Sequence, residues 1–368
     1  MKKFLKNLYK IPIYTVFFFL FFQLSHMIAL FKPNGFGCVV SREGNTIKNS
    51  VIENVVLYAK KNDSSDQKIV RHGRLVKRKN AKGVILLCHG FSCDKNDIGF
   101  LRYIFPDYHT MIFDFRAHGE NKEGQFCTLG KYEAYDVIAA AKFLRNHPDL
   151  KGLPLLVYGF SMGAVASIEA QAKDSTLFDG MILDCPFDAS EKVIKRGLDN
   201  KKISIFGYEF NLPGRAILKK YVFHPYIQSF VKAFLKAVTG FGSKGIETFV
   251  CPIHPEETIK NVSVPCLFIL CRKDEKVSVE GIKSVYYNAA SRYKKLWITN
   301  GRWHFDSFFY NPEKYAERLK KFADRVVDGS IYKKDKHRII EDIDPNQMRT
   351  MVNIGIAKKI KKGGKNEQ

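Results

Sequence analysis

From residue 84 onward, short apolar runs alternate with longer stretches whose apolar residues recur at helical spacing. The runs are 84–88, 110–113, 153–158, 180–183, 266–270 and 296–299. Each is too short for a typical helix, and several are apolar at nearly every position, as strands covered on both faces are. Between them the spacing predicts helices at about 97–105, 130–146, 161–173, 189–198, 278–291 and 312–327. Strand, helix, strand repeated in this way builds an α/β fold, with a mostly parallel central sheet and helices on both faces. Upstream, 51–58 and 68–78 read as an entry hairpin. The last helix opens on Asn311-Pro312, a side-chain acceptor at the N-cap followed by a residue that has no amide to leave unpaired.

Two segments break the rhythm. Residues 188–262 are longer than a crossover needs and are aromatic and basic; Ile227, Phe230, Val231, Phe234, Leu235 and Val238 share one helical stripe, which predicts a small helical cap. At the N-terminus Lys2, Lys3, Lys6 and Lys10 precede 21 residues, 11–31, that contain no Asp, Glu, Lys or Arg. At about 1.5 Å per residue such a helix spans a bilayer. A cleaved signal peptide is the rival reading, but no small-residue cleavage site follows the run. The expected organisation is a basic N-terminus and single membrane anchor at 1–32, a linker at 33–50, a catalytic domain at 51–327 and a basic tail at 328–368. The lysines before the anchor favour a cytoplasmic N-terminus and an extracytoplasmic catalytic domain.

Charge changes this picture little. Lys and Arg number 60 against 37 Asp and Glu, a formal net charge of +23, which suits anionic partners such as a membrane surface. The lysines are spread through nearly every segment without a nucleic-acid-binding motif, so no specific nucleic acid is expected. Of the eight cysteines, Cys88, Cys185, Cys266 and Cys271 fall in or beside the apolar runs and read as core thiols. Their spacing matches no disulfide framework or zinc motif.

The chemistry is concentrated at Gly159-Phe160-Ser161-Met162-Gly163. This G-x-S-x-G pentapeptide follows a predicted strand and opens a predicted helix, the setting of a nucleophile elbow. Glycines on either side of Ser161 remove the Cβ atoms that a strained turn cannot hold. A serine hydroxyl attacks a carbonyl only with a base to take its proton and donors to receive the oxyanion. His304, after the run 296–299, is the expected base, and Asp274, after the run 266–270, the acid that orients it; the order Ser, Asp, His suits the elbow. The amides of Phe91 and Met162 are the expected oxyanion donors. His89 is read as bracing the Phe91 loop, His118 as structural and Asp184 as a reserve acid; nothing in the sequence lowers the pKa of Cys93.

Together, His89-Gly90-Phe91, residues 114–120 with Gly130 and Glu133, residues 159–163, Asp184-Cys185-Pro186-Phe187, residues 265–274 and residues 301–304 resemble the serine-aminopeptidase and monoacylglycerol-lipase-like branch of the α/β-hydrolase superfamily. The resemblance spans about 83–327. It implies ester, thioester or amide hydrolysis without metal or organic cofactor, through Ser161, Asp274 and His304. Two departures stand out. The branch usually carries Gly or Ser where Cys271 stands, and the cap is not matched to any of the branch's versions. The aromatic cap and the anchor point to a lipid or acyl ester as substrate. Competing readings are a peptidase of the same fold and a non-catalytic binding module. Oligomeric state is not legible.

Overall fold

The computed structural model describes residues 50–119, 122, 124–200, 202–205, 208–211, 216, 246, 248–249, 251–333 and 337–342. All of them fall in one compact unit. The candidate anchor at 11–31, the aromatic stripe at 227–238 and the lysine cluster at 358–362 lie outside the described residues. Among the described residues no helix is long and apolar enough to cross a membrane.

The chain enters through a long antiparallel hairpin, β1 (Ser50–Asn62) and β2 (Ser65–Arg78). The alternation of strands and helices follows: β3 (Val84–Cys88), β4 (His109–Phe113), α1 (Glu133–Asn146), β5 (Leu155–Phe160), α2 (Met162–Lys173), β6 (Gly180–Asp184) and α3 (Ser190–Asn200). After the insertion come α4 (Pro255–Thr258), β9 (Cys266–Cys271), α5 (Val279–Asn288), β10 (Lys294–Thr299), α6 (Asp306–Tyr310), α7 (Pro312–Val327) and β11 (His337–Glu341). Within the insertion, β7 (Lys202–Ile205) and β8 (Tyr208–Asn211) form a separate antiparallel hairpin.

The described sheet has nine strands in the order β1-β2-β4-β3-β5-β6-β9-β10-β11. β2 joins β4 antiparallel, and every pairing from β4 to β11 is parallel. β3, β4, β5, β6 and β9 are buried at every position, which is why their sequences read as unbroken apolar runs and not as alternation. The C-terminal ends of β5, β9 and β10 are therefore neighbours or near neighbours along one rim, where open parallel sheets place their sites.

Three elements depart from the sequence reading. The helix expected at 97–105 is only a 3-10 turn at Gly99–Tyr103. The Asp94 carboxylate takes the amides of Asn96 and Asp97 while Asp97 takes the amide of Asp94, and such local bonds compete with helix formation. The insertion, expected to be helical, contains the β7–β8 hairpin. The domain, expected to end at 327, takes in a further strand: β11 pairs in parallel with β10, residue His337 opposite Lys294. The Trp297 indole donates to Asp342 (3.1 Å), as does the Lys314 ammonium (2.6 Å), tying this last strand to the sheet and to α7. The N-cap expectation at α7 holds: the Asn311 side chain accepts the Lys314 amide at 3.0 Å.

One buried ion pair joins the hairpin to the rest. Arg116, in the loop after β4, places its guanidinium on Asp136 of α1 (2.7 Å). It also donates to the carbonyls of Lys60 and Lys61 at the end of β1. Both side chains are almost wholly buried, so removing one partner leaves an uncompensated charge. Asp136→Ala is expected to lower the unfolding free energy by about 3–5 kcal/mol, measured by urea denaturation; a loss under about 1 kcal/mol, the range of an exposed pair, would show that the pair carries no such weight.

Candidate active site

Ser161 occupies the turn between β5 and α2 with φ 51° and ψ −113°, a conformation that L-residues avoid and that functional sites retain. Its neighbours explain how the turn survives. A Cβ on Gly163 would lie 2.3 Å from the Cys88 carbonyl oxygen, and one on Gly159 would lie 2.6 Å from the Ala164 Cα. The helix thus packs directly on the end of β3, and only glycine fits at both positions. The Ser161 amide donates to the Asp184 carbonyl oxygen at 2.8 Å, stitching the turn to β6.

His304 reaches this serine from the opposite side. Its Nε2 lies 2.9 Å from Ser161 Oγ, and its Nδ1 lies 2.7 Å from Asp274 Oδ2. The Asp274 side chain is buried, and its Oδ1 accepts the amides of Lys276 (2.8 Å) and Val277 (3.0 Å). Burial alone would raise this carboxyl, but the His304 ring and the two amides outweigh it and hold the pKa below the usual value. A carboxylate there accepts a hydrogen bond from Nδ1–H, which leaves the Nε2 lone pair facing the serine hydroxyl. The structure brings together all three residues selected from the sequence.

The loop that presents His304 is tightly held. Phe305 adopts φ 71° immediately after it, and its ring packs on Phe160 at 4.2 Å. The buried Asp306 carboxylate takes the Arg302 amide (2.7 Å) and its Nε (3.0 Å), closing the loop at the start of α6. The sequence reading missed both α6 and this bond; Asp306 and Arg302, four apart, were the available signal. Cys271, which stands where the resembling branch usually carries Gly or Ser, fits because residue 301 is glycine: a Cβ there would lie 2.6 Å from Cys271 Sγ.

The two amides named as oxyanion donors sit as expected at the ends of β3 and β5. Met162 is the first residue of α2, and Phe91 lies in the turn after β3. Among the described residues neither amide donates to a backbone carbonyl. His89 braces that turn: its Nε2 accepts the Phe115 amide (3.0 Å), so its Nδ1 carries the proton and donates to the Gly90 carbonyl (2.8 Å). Burial, chiefly, lowers its pKa to about 3 and keeps it neutral. His118 is also buried, bonded through Nδ1 to the Arg116 carbonyl (2.7 Å) and edge-on to Phe91, a structural placement. Burial raises the Cys93 thiol to about 12, which argues against a nucleophilic role.

Asp184, the reserve acid, does not face His304 with a hydrogen bond. Its carboxyl accepts the hydroxyls of Tyr315 (2.6 Å) and Tyr158 (3.2 Å) and the Cys185 thiol (3.2 Å). Burial nevertheless pushes its pKa up to about 6 against those donors. The folded protein therefore keeps a proton between about pH 4 and 6 that the unfolded chain has lost, and stability falls as pH rises through this window. The fall is about 3 kcal/mol. In Asp184→Asn it is expected to vanish from the pH profile of unfolding free energy; a variant profile parallel to the wild type's between pH 4 and 6 would contradict the assignment.

Residues 79–202 match the sequence model of the family "Serine aminopeptidase, S33". Over 251 residues, 67% of this chain and 72% of the other, the sequence is 28% identical to the uncharacterized protein YqkD of Bacillus subtilis. Among solved structures, the Pyrococcus furiosus esterase Pf2001 superposes with a TM-score of 0.54 at 21% identity, covering 75% of this chain and 93% of that one. An acetyl xylan esterase from Paenibacillus superposes with a TM-score of 0.51 at 14% identity, covering 75% and 85%. The parallel sheet and the superposition on these esterases show that the chain has the α/β-hydrolase fold, and over 79–202 its sequence is similar to the serine aminopeptidase family.

Proposed function

We propose that the protein is a serine hydrolase that cleaves a carboxylic ester through an acyl-enzyme. The observation that carries this reading is the unbroken hydrogen-bond path from Ser161 Oγ through His304 to Asp274. In the first half of the reaction Ser161 Oγ bonds to the ester carbonyl carbon as its proton passes to His304 Nε2. The carbonyl oxygen becomes an oxyanion held by the amides of Phe91 and Met162; loss of one such donor typically costs about 2.7–4 kcal/mol in the barrier. The imidazolium is balanced by the Asp274 carboxylate and returns its proton to the departing alkoxide. Water then gives a proton to Nε2 and attacks the acyl-enzyme, releasing the acid and restoring the serine.

An apolar acyl group suits the surroundings. Phe91, Trp303 and Phe309 are all exposed by more than a third; Trp303 adjoins His304 and Phe309 meets Phe305 edge-on. The apolar segment at 11–31 would tether the domain to a bilayer, on its extracytoplasmic side, where lipid esters are concentrated. The peptidase reading uses the same three residues and takes its support from the aminopeptidase family match. Ester cleavage is preferred because the dispersed acidic residues of the insertion, Glu191, Glu209 and Glu247, form no sequence cluster for a free amino terminus.

A fluorophosphonate probe is expected to label the protein at one site, and Ser161→Ala to abolish labelling; retained labelling would remove Ser161 as nucleophile. Asp274→Asn is expected to reduce kcat on the order of 10⁴-fold, because the ring would no longer be held in the tautomer that faces the serine. Against a series of carboxylic esters, kcat/KM is expected to rise with acyl length. A flat or short-chain profile would exclude the lipid substrate, and faster cleavage of aminoacyl anilides than of any ester would establish the peptidase.

A further inference from the structure

Two cysteines with no part in acyl transfer stand behind the acid and base. Cys185 follows β6 with φ 51°. Its amide donates to the Ile269 carbonyl at 2.8 Å, which fixes the residue between the ends of β6 and β9. Cys271 ends β9, and its thiol is hydrogen-bonded with the Ser307 hydroxyl at 3.1 Å. Both side chains are buried.

Cys185 Sγ, an Asp274 carboxylate oxygen and a His304 ring nitrogen all lie within 4.8 Å of one another. Thiolate, imidazole and carboxylate are the donors zinc prefers, at about 2.0–2.3 Å each, so tetrahedral ligand atoms stand about 3.5 Å apart. Reaching that size requires the ligand atoms to approach one another by no more than about 1.3 Å. One thiolate and one carboxylate also neutralise a divalent cation, as a buried site requires.

We propose that Cys185, Asp274 and His304 form a capture site for a thiophilic divalent cation such as zinc, with a water as fourth ligand. The cation takes the Nδ1 lone pair, so the one proton of the neutral imidazole resides on Nε2. The ring then presents N–H to Ser161 and has no lone pair with which to accept the hydroxyl proton. The Cys185 thiol gives up its bond to Asp184 and releases its proton to solvent. One proton leaves per ion bound, and no atom changes oxidation state. Capture therefore switches the hydrolase off. This inhibitory consequence rests on the proposed roles of Ser161 and His304; cation binding itself does not.

The test uses the full chain, reduced with a phosphine that does not compete for metal, and titrated with cobalt(II). A near-ultraviolet thiolate-to-cobalt absorption is expected, bleached by zinc. The wild-type minus Cys185→Ala difference isolates this site from the other cysteines. In parallel, zinc is expected to suppress fluorophosphonate labelling of Ser161 reversibly, a chelator restoring it, and Cys185→Ala to need at least tenfold more zinc. Cys185→Ser keeps the size of the side chain without its thiolate and is expected to behave as Cys185→Ala, which covers a loss of folding in the alanine variant. No cobalt difference absorption, or equal zinc sensitivity in wild type and both variants, overturns the proposal. Absence of labelling without zinc defeats the nucleophile assignment alone, since the cobalt absorption still reads the metal site.

Discussion

The contact on which the site depends is the close approach of α2, the helix that follows Ser161, to the end of β3. With Gly163 against the carbonyls of Cys88 and His89, α2 can begin at once after β5, and Ser161 is left in a backbone conformation it would not choose. The strain is held by packing and not by any single bond: β5 lies between β3 and β6, and the Ser161 amide is fixed to β6. That same approach places the Met162 amide and the Phe91 turn at adjacent strand ends. Position, hydroxyl and amides are thus consequences of one steric fact, the absence of a side chain at residue 163.

His304, the proposed base, arrives from a different part of the chain, and its placement is rigid for a different reason. His304 stands on a loop closed by the Arg302 and Asp306 bonds and wedged by Phe305 on Phe160. Asp274 stands at the end of the neighbouring strand, its second oxygen already occupied by two amides. Only one carboxylate oxygen remains for the imidazole, which sets the tautomer. A second carboxyl, Asp184, lies close by under the protection of Tyr158 and Tyr315. Two acids in one neighbourhood therefore have opposed environments, one held ionised by the His304 ring and two amides, the other pushed toward protonation by burial.

Much of this was legible in the sequence because parallel strands buried on both faces leave unbroken apolar runs. β3 was bounded to the residue, and the glycines around Ser161 have a single steric use. Ser161, Asp274 and His304 were each found at the end of such a run. The parts that were missed carry weaker local signals. Residues 97–105 have helical spacing, but Asp94 and Asp97 bond their own backbone. β11 offers only Ile339 and Ile340 between charged residues, and its partner is 43 positions away, so a tail and a strand look alike until β10 is in place. The metal-binding potential of Cys185 was hidden for the same reason: its companion ligands come from two other strand ends.

β11 has one more effect. It covers the edge that β10 would otherwise present as a row of open amides and carbonyls, the kind of surface on which a foreign strand can nucleate. Its own outward positions, His337, Arg338 and Glu341, are exposed and ionisable, which discourages any further strand from adding on. The last described strand therefore serves as a guard against self-association, and a chain clipped ahead of it would keep Ser161, Asp274 and His304 while gaining a sticky border.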